Sequence, residues 1–89
     1  MPRVEPTSHL ARHVDCPVET VGGATVREAL DAYFAMHPNV RSYVLDEQHM
    51  LRRHVVVFIG DAQARDRKTL SDPVLLDQPI FIMQALSGG

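Results

Sequence analysis

The last three residues, Ser87-Gly88-Gly89, follow directly on a strand-like run, Ile80-Phe81-Ile82-Met83-Gln84-Ala85-Leu86. Two residues without side chains make a thin chain end, with backbone conformations closed to other residues. Such an end can thread a narrow channel and place its carboxylate in another protein's active site. The reactive group would then be the Gly89 carboxylate, carried on a tail of Leu86, Ser87 and Gly88. A small, disordered chain end with no chemistry is the competing reading, and the residues upstream decide between the two.

Few side chains compete for a chemical role. Of five histidines, His9 and His13 stand four apart, a ligand spacing only on a helix. No helix signal surrounds them and no carboxylate motif completes a set, so no metal site is expected. His54 is expected on a strand, pointing outward or pairing locally. Cys16 is the single cysteine, which excludes an internal disulfide and a metal-binding pair. No sequence neighbour would activate its thiol. Arg52 and Arg53 could steer an acidic partner or line a solvated strand edge. A net charge of -2 argues against bulk nucleic-acid binding.

The tail needs a body to carry it. Eighty-nine residues suffice for one domain with one core. Hydrophobic content of 45% and charged content of 22% are ordinary for a folded chain. No apolar run is long enough to span a bilayer, and Met1-Pro2-Arg3-Val4-Glu5 lacks the apolar core of a signal peptide. Together with the lone cysteine, these features predict a cytoplasmic protein with no membrane partner.

Thr25-Val26-Arg27-Glu28 reads as a capping box, the Thr25 hydroxyl accepting from the Glu28 N–H while the Glu28 side chain reaches back to the Thr25 N–H. Gly22-Gly23 marks the turn before it. Val26, Ala29, Leu30, Tyr33 and Phe34 then fall at helical spacing on one face. Pro38 ends the helix near His37, since the residue before proline avoids the α region. Val40, Tyr43 and Val44 suggest one further short turn of helix. Leu51 to Ile59 reads as a strand, rich in β-branched residues, closed by Gly60-Asp61. Ile80 to Ala85 reads as a second, with Pro79 where a strand can begin. Arg65-Asp66-Arg67-Lys68 reads as a solvated charged loop, and Asp72-Pro73 as a turn. Arg3 to Thr7 and Val18 to Val21 form a candidate strand pair joined by a long connection, with Pro6 placing the first near an edge. The order is that of an α+β domain, one main helix on one face of a mixed sheet.

Strand periodicity divides the sheet's side chains. A single helix of useful length covers one face, assigned to Val55, Val57, Ile59, Ile80 and Ile82. Val56, Phe58, Phe81 and Met83 then lie on the open face, beside the root of the tail. A small monomer seldom exposes such a patch without a partner, and methionine suits an adaptable surface. The alternative is that a short helix or the loop of the 60s folds over them, and a one-residue slip in register would exchange the faces.

Taken in order, Thr25-Val26-Arg27-Glu28-Ala29-Leu30, Leu51-Arg52-Arg53-His54-Val55-Val56-Val57-Phe58 and Ile80 through Gly89 resemble the MoaD/ThiS family of ubiquitin-like sulfur carriers. The resemblance covers nearly the whole chain and is weakest over residues 1–16. Val44-Leu45-Asp46 through Leu51 to Arg65 looks closer to the CysO branch than to the shorter ThiS proteins. The resemblance implies a β-grasp domain over residues 1–85 with a flexible Gly-Gly tail over 86–89. It implies a carrier, not an enzyme, although such a chain could be the small subunit of a molybdopterin-synthase-like complex. The partners it implies are an E1-like adenylyltransferase, a persulfide sulfur donor and a sulfur-accepting synthase. The carrier would bind no cofactor of its own, the ATP and Mg²⁺ belonging to the activating partner. The Gly89 carboxylate would become an acyl adenylate, then a thiocarboxylate. Two alternatives share part of this reading: a ubiquitin-like modifier forming isopeptide bonds through Gly89, and a binding module using the open sheet face.

Overall fold

The structure is a computed structural model that describes residues 2–7, 16–75 and 77–84. Its first helix, α1, runs Val26–Met36, and the buried residues are those of the apolar stripe: Val26, Ala29, Leu30, Tyr33 and Phe34. Thr25 is the cap, its Oγ1 accepting from the Glu28 N–H at 3.2 Å. The Glu28 carboxylate, however, accepts from Ala24 at 2.8 Å, one residue earlier than a capping box requires. The helix entry is held from outside as well. Val26 N–H donates to Asp72 O at 3.0 Å and Val74 N–H to Ala24 O at 2.8 Å. Thr25 and Pro73 thus form a bridge, so Asp72-Pro73 is a docking strip for the helix entry where the sequence suggests a simple turn.

Helix α1 ends at Met36 with His37 as its C-cap, and Pro38 opens a second helix, α2, Pro38–Val44. Proline fits there because the first helical residue has no intrahelical use for its N–H. The α2 helix has 7 residues, longer than the single turn its sequence suggests. Val40 and Val44 are buried, while Tyr43 is exposed.

Five strands form one sheet in the order β2-β1-β5-β3-β4, with β1 at Arg3–Pro6, β2 at Glu19–Thr20, β3 at Val55–Ile59, β4 at Ala62–Gln63 and β5 at Pro79–Gln84. The β1 and β5 strands are parallel and the remaining pairs antiparallel. Pro6 does lie near an edge: β1 is second in the sheet, flanked by β5 and by the short edge strand β2. Arg3 and Thr7 N–H groups donate to Gln78 and Ile82 carbonyls beside β5. Pro6, of opposite parity, has its nitrogen on the β2 side, beyond the last β2 pair, Val4↔Glu19. Its missing donor therefore costs no ladder bond.

The central strand is shorter than its sequence suggests. Leu51 bridges Leu45, and residues 53–54 form a turn. The Arg52 N–H donates to Val44 O and its Nε to Ser42 O at 2.7 Å. Arg52 thus ties the turn to α2 and does not lie on a strand edge. His54 is exposed in the turn, not on the strand. After β3, Gly60-Asp61 forms a two-residue hairpin into β4, with Gly60 at φ 62°, the sign that the favoured tight hairpins demand.

The helices and the sheet enclose Val4, Val55, Val57, Ile80 and Ile82 together with Leu30 and Tyr33. Tyr33 keeps its hydroxyl satisfied inside by donating to Pro17 O at 2.7 Å. Cys16 lies in this core as a small apolar side chain, 8% exposed.

The turn before α1 uses its two glycines differently. Gly23 has φ +148°, and a Cβ there would stand 2.7 Å from the Ala29 nitrogen, whereas a Cβ on Gly22 would meet nothing within 4 Å. Gly23→Ala is therefore expected to destabilise the domain by about 2 kcal/mol through strain and overlap. Gly22→Ala should stay within about 0.5 kcal/mol of the parent. Urea denaturation of both variants checks the contrast, and equal midpoints would contradict it.

Candidate functional site

The antiparallel register of β3 and β5 sets the composition of the sheet's two faces. Val57 pairs with Ile82 and Ile59 with Ile80. Val57, Ile80 and Ile82 are at most 1% exposed, and Ile59 packs partly buried against the same core. On the opposite face, Val56 pairs with Met83 and Phe58 with Phe81. Val56, Phe58 and Phe81 are half-buried and Met83 is 37% exposed. The four residues named from the sequence are thus two cross-strand pairs, the contact unit of a sheet. Neither helix lies over them, since both helices pack on the Val57 side.

The rows that flank these pairs are polar. Glu5 pairs with Phe81 on one side and Gln63 with Phe58 on the other. Arg3 lies two residues from Glu5 on the same face and donates to its carboxylate at 2.8 Å. The result is an apolar centre with a polar rim, the anatomy of a protein-docking surface. Strand β5 runs through this centre to Gln84, five residues before Gly89. The tail residues Leu86, Ser87, Gly88 and Gly89, and the histidines His9 and His13, lie outside the described residues. Among the described residues no cluster of His, Cys, Asp or Glu is arranged to hold a metal.

The loop of the 60s is not simply a solvated charge run. The Asp66 carboxylate accepts from the Lys68, Thr69 and Ser71 N–H groups, from the Thr69 hydroxyl, and from the Ser71 hydroxyl at 2.6 Å. The Ser71 and Thr69 hydroxyls, with the Thr69 and Ser71 N–H groups, hold the Asp66 carboxyl well below the usual carboxylate range, because each of these bonds favours the ionised form. Asp72 accepts from the Arg65 and Asp66 N–H groups. Arg67 donates to Arg52 O at 2.7 Å. Arg27, on the first turn of α1, donates to the His49, Lys68 and Thr69 carbonyls. The loop is thereby bolted to the helix beside the sheet and does not fold over Phe58. Asp66 followed by hydroxyls three and five residues on is a local signal for such a turn. The cross-chain reach of Arg27 has no comparable local signal.

A mixed five-stranded sheet with its helices on one face, and β1 and β5 parallel at its middle, defines a ubiquitin-like β-grasp protein. Among solved structures, the chain is similar to small archaeal modifier protein 1 from Haloferax volcanii. That match has 25% identity, a TM-score of 0.78, and coverage of 99% of this chain and 98% of that one. It is also similar to a chain of the Amycolatopsis orientalis BexX/CysO complex, at 24% identity and a TM-score of 0.82 over 100% of both chains. CysO from Mycobacterium tuberculosis matches at 17% identity and a TM-score of 0.80, covering 97% of this chain and all of that one. These are ubiquitin-like proteins of the kind that the sequence resembles, CysO among them. No protein-family profile and no curated protein sequence matches the chain.

Proposed function

We propose that this chain is a sulfur carrier whose Gly89 carboxylate is adenylated by an E1-like partner and converted to a thiocarboxylate. The observation that carries the reading is the whole-length match, at a TM-score of 0.82 over 100% of both chains, to a chain of the BexX/CysO complex. In support stands the placement of an apolar, polar-rimmed sheet face on the strand that leads to the Gly-Gly end. The partner would grip Val56, Phe58, Phe81 and Met83, and the Ser87-Gly88-Gly89 segment would enter its nucleotide pocket.

The chemistry divides between the two proteins. A carboxylate is a poor electrophile, so a Gly89 oxygen attacks the α-phosphate of ATP and pyrophosphate leaves. The partner supplies Mg²⁺, the nucleotide pocket and the electrostatics of that step. A persulfide sulfur then attacks the acyl carbon and AMP leaves. A thiol of the donor cleaves the S–S bond and frees the thiocarboxylate. Sulfur is the softer nucleophile, and in the active site of a sulfur-accepting synthase it attacks an electrophilic carbon. This chain contributes the acyl group and the docking face, and is itself no enzyme. No helix among the described residues is long and apolar enough to cross a membrane.

A second reading shares the adenylate and sends it to a lysine amine. It is favoured by the 25% identity to a protein named as a small archaeal modifier. Intact mass after incubation with cell extract and ATP separates the two. A gain of about 16 Da, oxygen exchanged for sulfur, is expected for the carrier. A ladder of larger conjugates without that gain would replace it with the modifier, and an unchanged mass would remove both.

A further inference from the structure

Of the nine cationic side chains, eight are arginine and one, Lys68, is lysine. The difference matters in a chain whose own carboxyl group becomes an electrophile. Guanidinium stays protonated and has no free electron pair to offer an acyl carbon, whereas an ammonium gives up a proton and becomes a nucleophilic amine. Eight of the nine positions are thus inert to acylation.

Lys68 is also presented for reaction. It is exposed, and it makes no ion pair among the described residues, where the pairs are Arg3–Glu5 and His37–Glu19. Asp66, two residues away, is its nearest carboxylate in sequence, but the Ser71 and Thr69 hydroxyls and the local N–H groups occupy that carboxylate. The Lys68 backbone is fixed at both ends. Its N–H donates to Asp66 at 3.0 Å and its carbonyl accepts from Arg27 at 3.1 Å. A rigid backbone thus carries an untethered amine outward.

From this we propose that Lys68 is the one side chain that accepts the activated Gly89 of a second copy of this chain. The inference rests on the activation of Gly89 proposed above. The neutral Lys68 Nζ attacks the acyl carbon of the Gly89 adenylate. The C–N bond forms, the bond to the AMP oxygen breaks, AMP leaves and the amine's extra proton passes to solvent. The product is a homotypic conjugate with a single linkage, and each copy offers one acceptor and one donor.

The test is incubation of the full chain with ATP, Mg²⁺ and cell extract, followed by intact-mass and fragmentation analysis. The parent is expected to yield a species of two chain masses less one water, with the bond at Lys68 Nζ. Lys68→Arg is expected to lose that species while still gaining the oxygen-to-sulfur mass. The arginine keeps the charge, so folding is not at issue. Conjugates that persist in Lys68→Arg, a bond at the Met1 amine, a monomer lighter by one water, or sulfur gain with no conjugate would each overturn the proposal. Absence of both sulfur gain and conjugate in the parent would instead overturn the Gly89 activation, and this inference with it.

Discussion

One residue added after Gly89 is expected to abolish adenylation, with pyrophosphate release by the activating enzyme falling by at least about a thousandfold. Gly89→Ala should lower it by about a hundredfold. Both effects follow from the tail's cross-section. An acyl adenylate survives only where water is excluded, so the channel that admits the tail must fit it closely. A Cβ at position 88 or 89 widens the tail, and glycine alone adopts the full range of extended conformations such a passage demands. An added residue does more, since it moves the carboxylate off the α-phosphate, and displacements of about 1 Å already cost about a hundredfold in rate. Neither change touches the described body of the protein, in which β5 ends at Gln84. The melting temperature of both variants should therefore equal the parent's. ATP–pyrophosphate exchange with the activating enzyme measures the effect. Undiminished exchange by the extended chain would show that the carboxylate of residue 89 is not the reacting group.

The body of the fold was legible where local rules and tertiary packing agree. The five apolar positions of α1 are its five buried residues, because a 3.6-residue period leaves one face to bury. The faces of β3 and β5 follow from a period of two, and the register Phe58↔Phe81 keeps each set together. The sequence misled where side chains serve distant backbone. Leu51-Arg52-Arg53-His54 has no turn signal, yet the Arg52 backbone and guanidinium are both committed to α2, which delays the strand to Val55. Pro6, by contrast, correctly signals nearness to an edge, because its missing donor needs a side without a ladder partner. Here that donor would face a side on which β2 has already ended. In the loop of the 60s the charges are the evident sequence signal, while the Thr69 and Ser71 hydroxyls order the chain around Asp66. The alternation that sets Val56, Phe58, Phe81 and Met83 on the face opposite Val57 was legible in full. What meets that face was not, because strand periodicity and hydrophobicity name no partner.

Neighbouring residues on the central strand should respond in opposite ways to the same substitution. Val57 is 1% exposed in the core. Val57→Asp would bury a charge with no counter-ion and is expected to cost about 4 kcal/mol or more. That is most of the stability of a domain this small, and the variant should be largely unfolded. Phe58 lies one residue along and on the other face. Phe58→Asp should keep the fold, losing about 1 kcal/mol as the cross-strand contact with Phe81 goes. Its effect belongs to the interface. An aspartate at 58 would stand between Gln63 and Phe81, in a row that already contains Glu5. The Arg3 guanidinium on that face is paired with Glu5. The new charge would meet an apolar partner surface and must be dehydrated there. Affinity for the activating enzyme should fall by about 2–4 kcal/mol, roughly thirtyfold to a thousandfold in Kd. Titration calorimetry with that enzyme, alongside thermal denaturation, reads both halves. Unchanged affinity in a folded Phe58→Asp variant would move the docking site off this face. A folded Val57→Asp variant with lost affinity would mean that the two faces of the sheet have been assigned in reverse.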